Sequence, residues 1–471
     1  PHTGALKNGA EVIVQTGGST SEGINQGNIT LNEVLNFTDN ATLRLLAHNN
    51  IILTKNIQKV AAADNGNIEV TGALNLELIA NKDNVGGGLV GGEIGNSIIV
   101  ANGVTIATNG GYFYAGKSAG EDNGRLGSDY TNKVFNFTST GATINTSNDF
   151  GGGDVVINVT NNVELGAVSF KHFYKNAQST DGGGLNGGDN LSQVGSILIN
   201  SGGNVTLNSE IDFNDTGRRQ GDTGNDGYPS DSLDNEEAFL TINANGDITI
   251  KERILDKDFG DYRDALNITL AADKDHLNGG TIKINKDIYT AGGNFIASAA
   301  IFDSTGTIIN TDRANERTND GASGTHHGNA QWSNGGNVDI SARNSIVLGS
   351  ITTDGICGAS VECNGNFTLS SIDSDAAAPG AQLTATVTQA AGSVLTVAGE
   401  TEINVGSGTV DLTKDNSFNK KITVTSAKDV LLKDADAAKG LLFGATTVSG
   451  KMELSAAGYI AFKNDSDVAQ D

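Results

Sequence analysis

The stretch GGNVDISARNSIVL, residues 335–348, decides the fold of this chain. It opens with Gly-Gly-Asn and continues as two short runs, NVDISA and NSIVL, in which apolar residues such as Val338 and Ile340 alternate with polar ones. A period of two places one set of side chains on one face of a β-strand. Glycine and asparagine accept the left-handed backbone that tight corners require. The stretch therefore predicts short strands joined at corners.

Similar glycine-led strands occur along most of the chain. They are GNITL (27–31), GNIEV (66–70), GGNVTLNS (202–209), GDITI (246–250), GGTIKINK (279–286), GGNFIASA (292–299) and GNFTL (365–369). Second and third strands follow such a start, as ATLRLLA (41–47) is followed by NNIIL (49–53). Gly27 and Gly66 are 39 positions apart, which fits two coils of about twenty residues each.

These repeats predict an all-β fold: a right-handed parallel β-helix (β-solenoid) with loop insertions. Segments with helical spacing are missing, so a βαβ fold would have no crossover helices. The structural alternative is an antiparallel sandwich, which needs Asn-Gly hairpins, and Asn-Gly occurs at 8–9, 65–66, 102–103 and 365–366. The Gly-Gly-Asn starts and the grouping of strands in threes favour coils.

Composition excludes several classes of partner. The net charge is −25, from 55 acidic and 30 basic residues, and no Lys/Arg cluster stands out. Nucleic acid and anionic membranes both require such clusters. No apolar run approaches the length of a transmembrane helix, so we expect no direct membrane insertion. Strong negative charge opposes association of strand edges, and we expect a monomer.

The alternation of apolar and polar residues is interrupted in the first part of the chain and continuous in the last part. Segments 116–135, 172–195, 209–236, 255–265 and 303–334 lack alternation, are rich in Gly, Asp, Asn and Ser, and predict inserted loops. From about residue 374 the loops vanish. We therefore divide the chain into a decorated β-helix section, 1–373, which is the expected binding region, and a plain section, 374–471, which begins a stalk.

The cysteines and the first residue bear on the compartment. Cys357 and Cys363 lie in CGASVEC and predict one small disulfide loop in an oxidising compartment; two reduced, unrelated thiols are the alternative. The first residue is Pro1, so we expect a piece of a longer protein whose export signal lies outside it.

Two segments carry a resemblance to a known family. GNITL through NATLRLLAHNNIILTKNI (27–57), followed by NGNIEVTG, resembles the first coils of filamentous-haemagglutinin-like two-partner-secretion exoproteins. Residues 393–460 are similar to a repeat of very large bacterial adhesins, including Asn-x-Phe at Asn416–Phe418 and the ending at Ala456–Ile460. The family's N-terminal secretion domain, with its Asn-Pro-Asn signature, is absent, and the middle, about 80–335, matches no repeat.

The resemblance implies a location and partners. Proteins of this kind are secreted to the bacterial cell surface or the extracellular matrix, with an outer-membrane transporter as partner during secretion. Some members bind host surfaces and others hold the polysaccharide of a biofilm matrix. The resemblance therefore implies an adhesin that extends from the cell and binds glycan, exopolysaccharide or another surface.

Motifs of catalysis occur without the context that they need. Gly116–Gly120 fits G-x-S-x-G, and 86–91 and 182–187 fit G-x-G-x-x-G, but no helix follows any of them. We therefore expect no enzyme activity. The alternative is a β-helix polysaccharide lyase or glycosidase, which needs carboxylates, often with Arg or Lys, on one face of adjacent coils. A purely structural stalk is the third reading.

No metal site or cofactor is predicted. His326 and His327 are adjacent in a loop, without a third ligand at metal spacing. The acidic run from Asp222 to Glu237 fails the EF-hand template, so a solvated loop is favoured there over a structural Ca²⁺ ion, which stays as the alternative.

The scarce aromatic residues concentrate beside or within the predicted loops. Aromatic rings beside Asp and Asn are typical of sugar recognition. For Phe113, Phe170 and Phe173 the favoured reading is a place in the core. The candidate ligand-binding residues are Tyr112, Tyr114, His172, Tyr174, Tyr228, Tyr262 and Trp332.

Overall fold

A computed structural model shows a chain built of β-strands. It describes residues 6, 9–17, 27–60, 72–81, 96–116, 134–148, 151–170, 195–213, 238–255, 265–275, 279–312, 335–353, 365–372 and 383–463. The chain divides into two compact units. Unit 1 comprises Pro1–Leu240 and Asp258–Asp264, and unit 2 comprises Thr241–Lys257 and Ala265–Asp471. Within the described ranges, no helix is long and apolar enough to cross a membrane.

The strands are short and follow one another closely. The first twenty are β1 (Ala10–Gln15), β2 (Ile29–Leu31), β3 (Leu35–Phe37), β4 (Ala41–Leu46), β5 (Ile51–Leu53), β6 (Ile57–Lys59), β7 (Leu74–Ile79), β8 (Ile98–Val100), β9 (Thr105–Ala107), β10 (Phe113–Ala115), β11 (Phe137–Thr138), β12 (Thr143–Asn145), β13 (Ser147–Asn148), β14 (Gly151–Gly152), β15 (Val155–Val159), β16 (Val163–Leu165), β17 (Ala167–Ser169), β18 (Ile197–Ser201), β19 (Val205–Leu207) and β20 (Ile211–Asp212). The others are β21 (Ala238–Ala244), β22 (Ile248–Ile250), β23 (Ile254–Leu255), β24 (Leu266–Ala271), β25 (Thr281–Ile284), β26 (Ile288–Tyr289), β27 (Phe295–Asp303), β28 (Ile308–Asn310), β29 (Val338–Leu348), β30 (Ser350–Thr352), β31 (Phe367–Ser371), β32 (Thr386–Gln389), β33 (Leu395–Val397), β34 (Thr401–Asn404), β35 (Thr409–Phe418), β36 (Lys421–Ala427), β37 (Asp429–Asp434), β38 (Leu441–Val448), β39 (Met452–Ala456) and β40 (Ile460–Phe462).

Strands of successive coils pair in parallel. In unit 1, β4 pairs with β1 and β7, β5 with β2 and β8, and β6 with β3 and β9. Each coil therefore has a first, a second and a third strand, which stack on the same strands of the next coil. The amide of Asn50 donates to Oδ1 of Asn28, 22 positions earlier, and the same offset joins Lys451 to Asp429 in unit 2. The predicted parallel β-helix is confirmed, and the predicted coil length of about twenty residues holds where the offset is 22, whereas Ala41 and Leu74, which are register partners, are further apart because a long segment lies between them.

The core of each coil is the set of side chains that point inward. In unit 1, Leu43, Leu76, Phe113, Val155 and Ile197 align in register on five first strands, and all are buried. Burial of one such side chain contributes about 1.5–3 kcal/mol, so the column is a main source of stability. Phe113 was predicted to be a core residue, and this is confirmed.

The Gly-Gly-Asn motif lies at a corner where the backbones of two coils approach closely. A Cβ atom on Gly336 would lie 1.9 Å from the carbonyl oxygen of Gly293, so a larger residue does not fit. The asparagine after the last glycine joins a ladder: the amide of Asn337 donates to Oδ1 of Asn294 at 2.9 Å, and the amide of Asn366 donates to Oδ1 of Asn337 at 2.8 Å. The motif therefore combines close approach with a bond between coils.

The glycine-led motif marks a corner, not one particular strand. It precedes the second strand β19 in GGNVTLNS but the first strands β27 and β29 in GGNFIASA and GGNVDISA. The two strands predicted in 335–348 form one strand, β29, whose first half pairs with β31 and whose second half pairs with β32. This difference arises because the backbone stays extended through that corner.

The predicted loops are shorter than expected at two places. The segment 209–236 contains β20, and the segment 303–334 contains β28. Both strands have one inward residue, Ile211 and Ile309, which is too few for alternation to be visible in the sequence. The predicted boundary between the decorated section and the plain section, at about residue 374, falls inside unit 2 and stays a prediction.

Candidate functional site

The longest connections of unit 1 all lie directly before or directly after a first strand in the sequence. Segments 18–26, 82–95 and 117–133 follow the first strands β1, β7 and β10, and segments 61–71, 171–194 and 214–237 follow third strands. Connections from second to third strands, such as that from β8 to β9, are short. Long connections therefore leave from the end of some first strands and arrive at the start of others, so they border the outer side of these strands. We call the outward-pointing side chains of β1, β4, β7, β10, β15 and β18, with the residue before each strand, the first-strand face.

Charged and aromatic residues meet on this face. Arg44, Glu77 and Tyr114 are register partners on β4, β7 and β10, so they form one row across three coils. They alternate with the buried residues Leu43, Leu76 and Phe113, and this alternation turns them outward. Tyr112 and Glu11 belong to the neighbouring row.

Tyr112 is held in one orientation. Its ring stacks on that of Tyr114, with centroids 4.1 Å apart and planes inclined by 13°. Its hydroxyl donates to Oε1 of Glu77 at 2.8 Å, and its amide donates to Oδ1 of Asn75 at 3.3 Å. Tyr114 is buried, whereas Tyr112 stays partly exposed. A ring that is already fixed loses little entropy when a ligand stacks on it.

The charges of the site form a chain of ion pairs. Nη1 of Arg44 lies 2.6 Å from Oε1 of Glu11, and Nε of Arg44 lies 3.1 Å from Oε2 of Glu77. Burial, and after it the hydrogen bond to Glu77, raises the pKa of Tyr112 well above its usual range. The phenol is therefore neutral under all ordinary conditions and keeps donating to Glu77.

This arrangement suits binding better than proton transfer. A neutral, fixed aromatic ring beside polar groups can stack on a pyranose and orient it with hydrogen bonds. The face does bring carboxylates and an arginine together on adjacent coils, which is what a lyase or glycosidase needs. However, the hydroxyl of Tyr112 binds Oε1 of Glu77, and Arg44 forms an ion pair at Oε2 without a hydrogen bond, so this carboxylate serves to position the tyrosine ring.

The predicted site residues divide into two groups. Tyr112 and Tyr114 are brought together in the first-strand face. The other candidates lie outside the described residues, as do both cysteines: His172, Tyr174, Tyr228, Tyr262, Trp332, Cys357 and Cys363. Phe170, predicted to be in the core, is buried and stacks on Phe213 with centroids 4.8 Å apart, whereas Phe173 lies outside the described part.

Sequence reasoning missed Arg44, Glu77 and Glu11. Their offsets along the chain are set by insertion lengths, so no periodic signal joins them. In the described part of the chain, no group of three or more His, Cys, Asp or Glu residues could hold a metal ion, and the run from Asp222 to Glu237 lies outside it. Comparisons of the chain with protein-family models, curated proteins and solved structures gave no match.

Proposed function

We propose that this chain is a non-catalytic, glycan-binding part of a secreted bacterial surface adhesin. The observation that carries the proposal is the stacked pair Tyr112–Tyr114, fixed by Glu77 on the outward side of a β-solenoid. The resemblance to filamentous-haemagglutinin-like exoproteins supports secretion, a place at the cell surface or in the extracellular matrix, and a transporter partner in the outer membrane.

The ring of Tyr112 stays partly exposed to water, whereas Tyr114, on which it stacks, is buried. Apolar ring surface that remains in water gives no stability, and the column of Leu43, Leu76 and Phe113 fills the core without it. Tyr112 nevertheless has a hydrogen bond and a stacking partner that fix its ring. A rigid aromatic surface of this kind is what stacking on the apolar face of a sugar requires.

Two rival functions stay open to experiment. A purely structural stalk would bind no glycan, and a polysaccharide lyase or glycosidase would release products. The burial of Glu77 and its hydrogen bond from Tyr112 weigh against the enzyme. The same chain, incubated with acidic and neutral polysaccharides, should give no new reducing ends or unsaturated products, and turnover would contradict the proposal.

The binding test compares variants of the intact chain on a panel of immobilised polysaccharides. Tyr112→Ala should lower affinity at least about tenfold, and Tyr112→Phe, which keeps the ring, should lower it only a few-fold. Tyr289→Ala, in unit 2, is the control, because Tyr289 is a partly exposed tyrosine on a third strand. Absence of binding by the parent chain, or equal affinity of the parent chain and the Tyr112→Ala variant, would overturn the proposal.

A further inference from the structure

The first-strand face of unit 1 carries an excess of negative charge. Among its described side chains, Glu11, Glu77 and Asp154 are carboxylates, and Arg44 is the one cation. Asp154 precedes β15, next to Tyr112 in the same row, and its Oδ1 accepts the amide of Ser196 at 2.9 Å. Arg44 pairs with Glu11 and Glu77, so these three groups together carry one formal negative charge and Asp154 adds a second.

A neutral sugar would gain little electrostatic attraction from this negative charge. Glu11 has 49% of its side chain exposed, and it sits on a face where any added cation would be attracted and any added anion repelled. The rings add to the same preference, because the face of an aromatic ring is negative and attracts an ammonium group. The charge of −25 on the whole chain acts in the same direction at long range.

From these observations we propose that the first-strand face binds a polysaccharide with primary ammonium groups, that is, a partly deacetylated amino-sugar polymer. This inference rests on the proposed glycan-binding function and adds the class of the ligand to it. Tyr112 stacks on a sugar ring, and Glu11 and Asp154 pair with ammonium groups on that sugar or its neighbours. Polymers of uronic acids are repelled.

The test uses the intact chain and three short oligosaccharides: a glucosamine oligomer, its fully N-acetylated form and an oligouronate. At about pH 5.5 the amines are protonated and ordinary carboxylates remain ionised. The glucosamine oligomer should bind at least about tenfold tighter than the acetylated one at low salt, and this preference should shrink at high salt. The oligouronate should not bind measurably.

Variants separate this face from the general charge of the chain. Glu11→Gln should weaken binding of the glucosamine oligomer about three- to tenfold and leave the acetylated oligomer unaffected. Glu453→Gln is the matched control, because Glu453 has 58% of its side chain exposed and also pairs with a basic residue, Lys451. This control should leave both affinities unchanged.

The outcomes are distinguishable. Equal affinity for the glucosamine oligomer and its acetylated form would overturn the ammonium preference and leave the proposed function standing. An equal loss in Glu11→Gln and Glu453→Gln would also overturn it, because the preference would then belong to the whole chain. If none of the three oligosaccharides binds and the polysaccharide panel is also negative, both proposals fail.

Discussion

A single ion pair links three coils of unit 2. Arg343 of β29 reaches Asp273, which follows β24 two coils earlier, and the buried Ala300 of the intervening coil leaves room for it. Only 14% of the Arg343 side chain and 1% of the Asp273 side chain are exposed. Oδ1 of Asp273 also accepts the amide of Gly279 at 3.1 Å. The carboxylate is therefore almost fully removed from water and depends on its partners.

Removal of the arginine should expose this dependence. Arg343→Ala leaves a buried carboxylate without its cation, and we expect a loss of about 3–5 kcal/mol in the free energy of unfolding. Lys283→Ala is the control: Lys283 pairs with Asp303 at 3.2 Å, but 53% of the lysine and 25% of the aspartate side chain are exposed, so its loss should cost less than about 1 kcal/mol. Urea unfolding followed by far-ultraviolet circular dichroism measures both. Equal losses would contradict the argument.

A second carboxylate of unit 2 should make stability depend on pH. Desolvation, and then the nearby charge of Glu402, raises the pKa of Asp339 above its ordinary value of 3.8. The native state then holds its proton to a higher pH than the unfolded state, so the penalty is absent at low pH and complete above the raised pKa. Asp339→Asn should raise the free energy of unfolding at neutral pH by less than about 1 kcal/mol.

The measurement is a pair of urea titrations, one at neutral pH and one at about pH 3, where the carboxyl is protonated in both states. The difference between parent and variant should vanish at low pH. Thr368→Ser is a matched control, because Thr368 lies between Asp339 and Glu402 in the same row and carries no charge. A gain that persists unchanged at low pH would contradict the electrostatic origin.

Residue-scale prediction from sequence succeeds for the core and fails for contacts between coils. The alternation in 335–348 predicts that Val338 and Ile340 are buried, and both are. It cannot predict that Arg343 meets Asp273, 70 positions away, because the repeat does not fix the lengths of the segments between them. For the same reason Tyr112 could be proposed from its place beside a predicted loop, but its contact with Glu77 could not.

At the scale of elements, the same hydrogen bond from threonine to glycine closes three corners of unit 2, although the connections at these corners differ greatly in length. The hydroxyl of Thr290 donates to the carbonyl oxygen of Gly293, that of Thr311 to Gly336 and that of Thr353 to Gly365, at 2.6, 2.6 and 2.7 Å. The partners are 3, 25 and 12 positions apart. All three threonines are fully buried at the end of a third strand. The threonine and the glycine thus close the corner whatever is inserted between them.

This closure predicts that a long connection can be shortened without loss of the fold. Replacement of 312–335 by Ala-Gly, the pair between Thr290 and Gly293, gives Thr311 and Gly336 the shorter spacing. The free energy of unfolding should stay equal or rise by up to about 2 kcal/mol, since loop closure becomes less costly. Thr311→Val in the parent chain should instead destabilise it by about 1–3 kcal/mol.

The shortened chain also tests one candidate residue. Trp332 lies in the replaced segment, so unchanged glycan affinity would exclude it as a binding residue. Loss of the β-sheet signal on shortening would contradict the closure. Sequence reasoning finds the glycine of such a corner but not its threonine, because the offset between the two varies from coil to coil.

At the scale of the whole molecule, net charge and open strand edges act against each other. Within the described residues, β40 pairs with β38 along one edge and has no strand on the other. Its core positions Ile460 and Phe462, which stack on the buried Leu441 and Phe443, are 45% and 62% exposed. An exposed apolar edge strand is a site of association. The net charge of −25 opposes that association at neutral pH.

Neutralisation of the net charge should therefore allow association through the exposed edge strand β40. We expect the chain to be monomeric at neutral pH and to associate reversibly as the pH approaches its isoelectric point near 4.5, which light scattering would follow. The double variant Ile460→Lys, Phe462→Lys should suppress this association, because charged side chains blunt an edge. Its control is Ile308→Lys, Val394→Lys, which adds the same charge at exposed apolar residues away from β40. Equal suppression by both pairs would show that net charge alone governs association and that the open edge has no part in it.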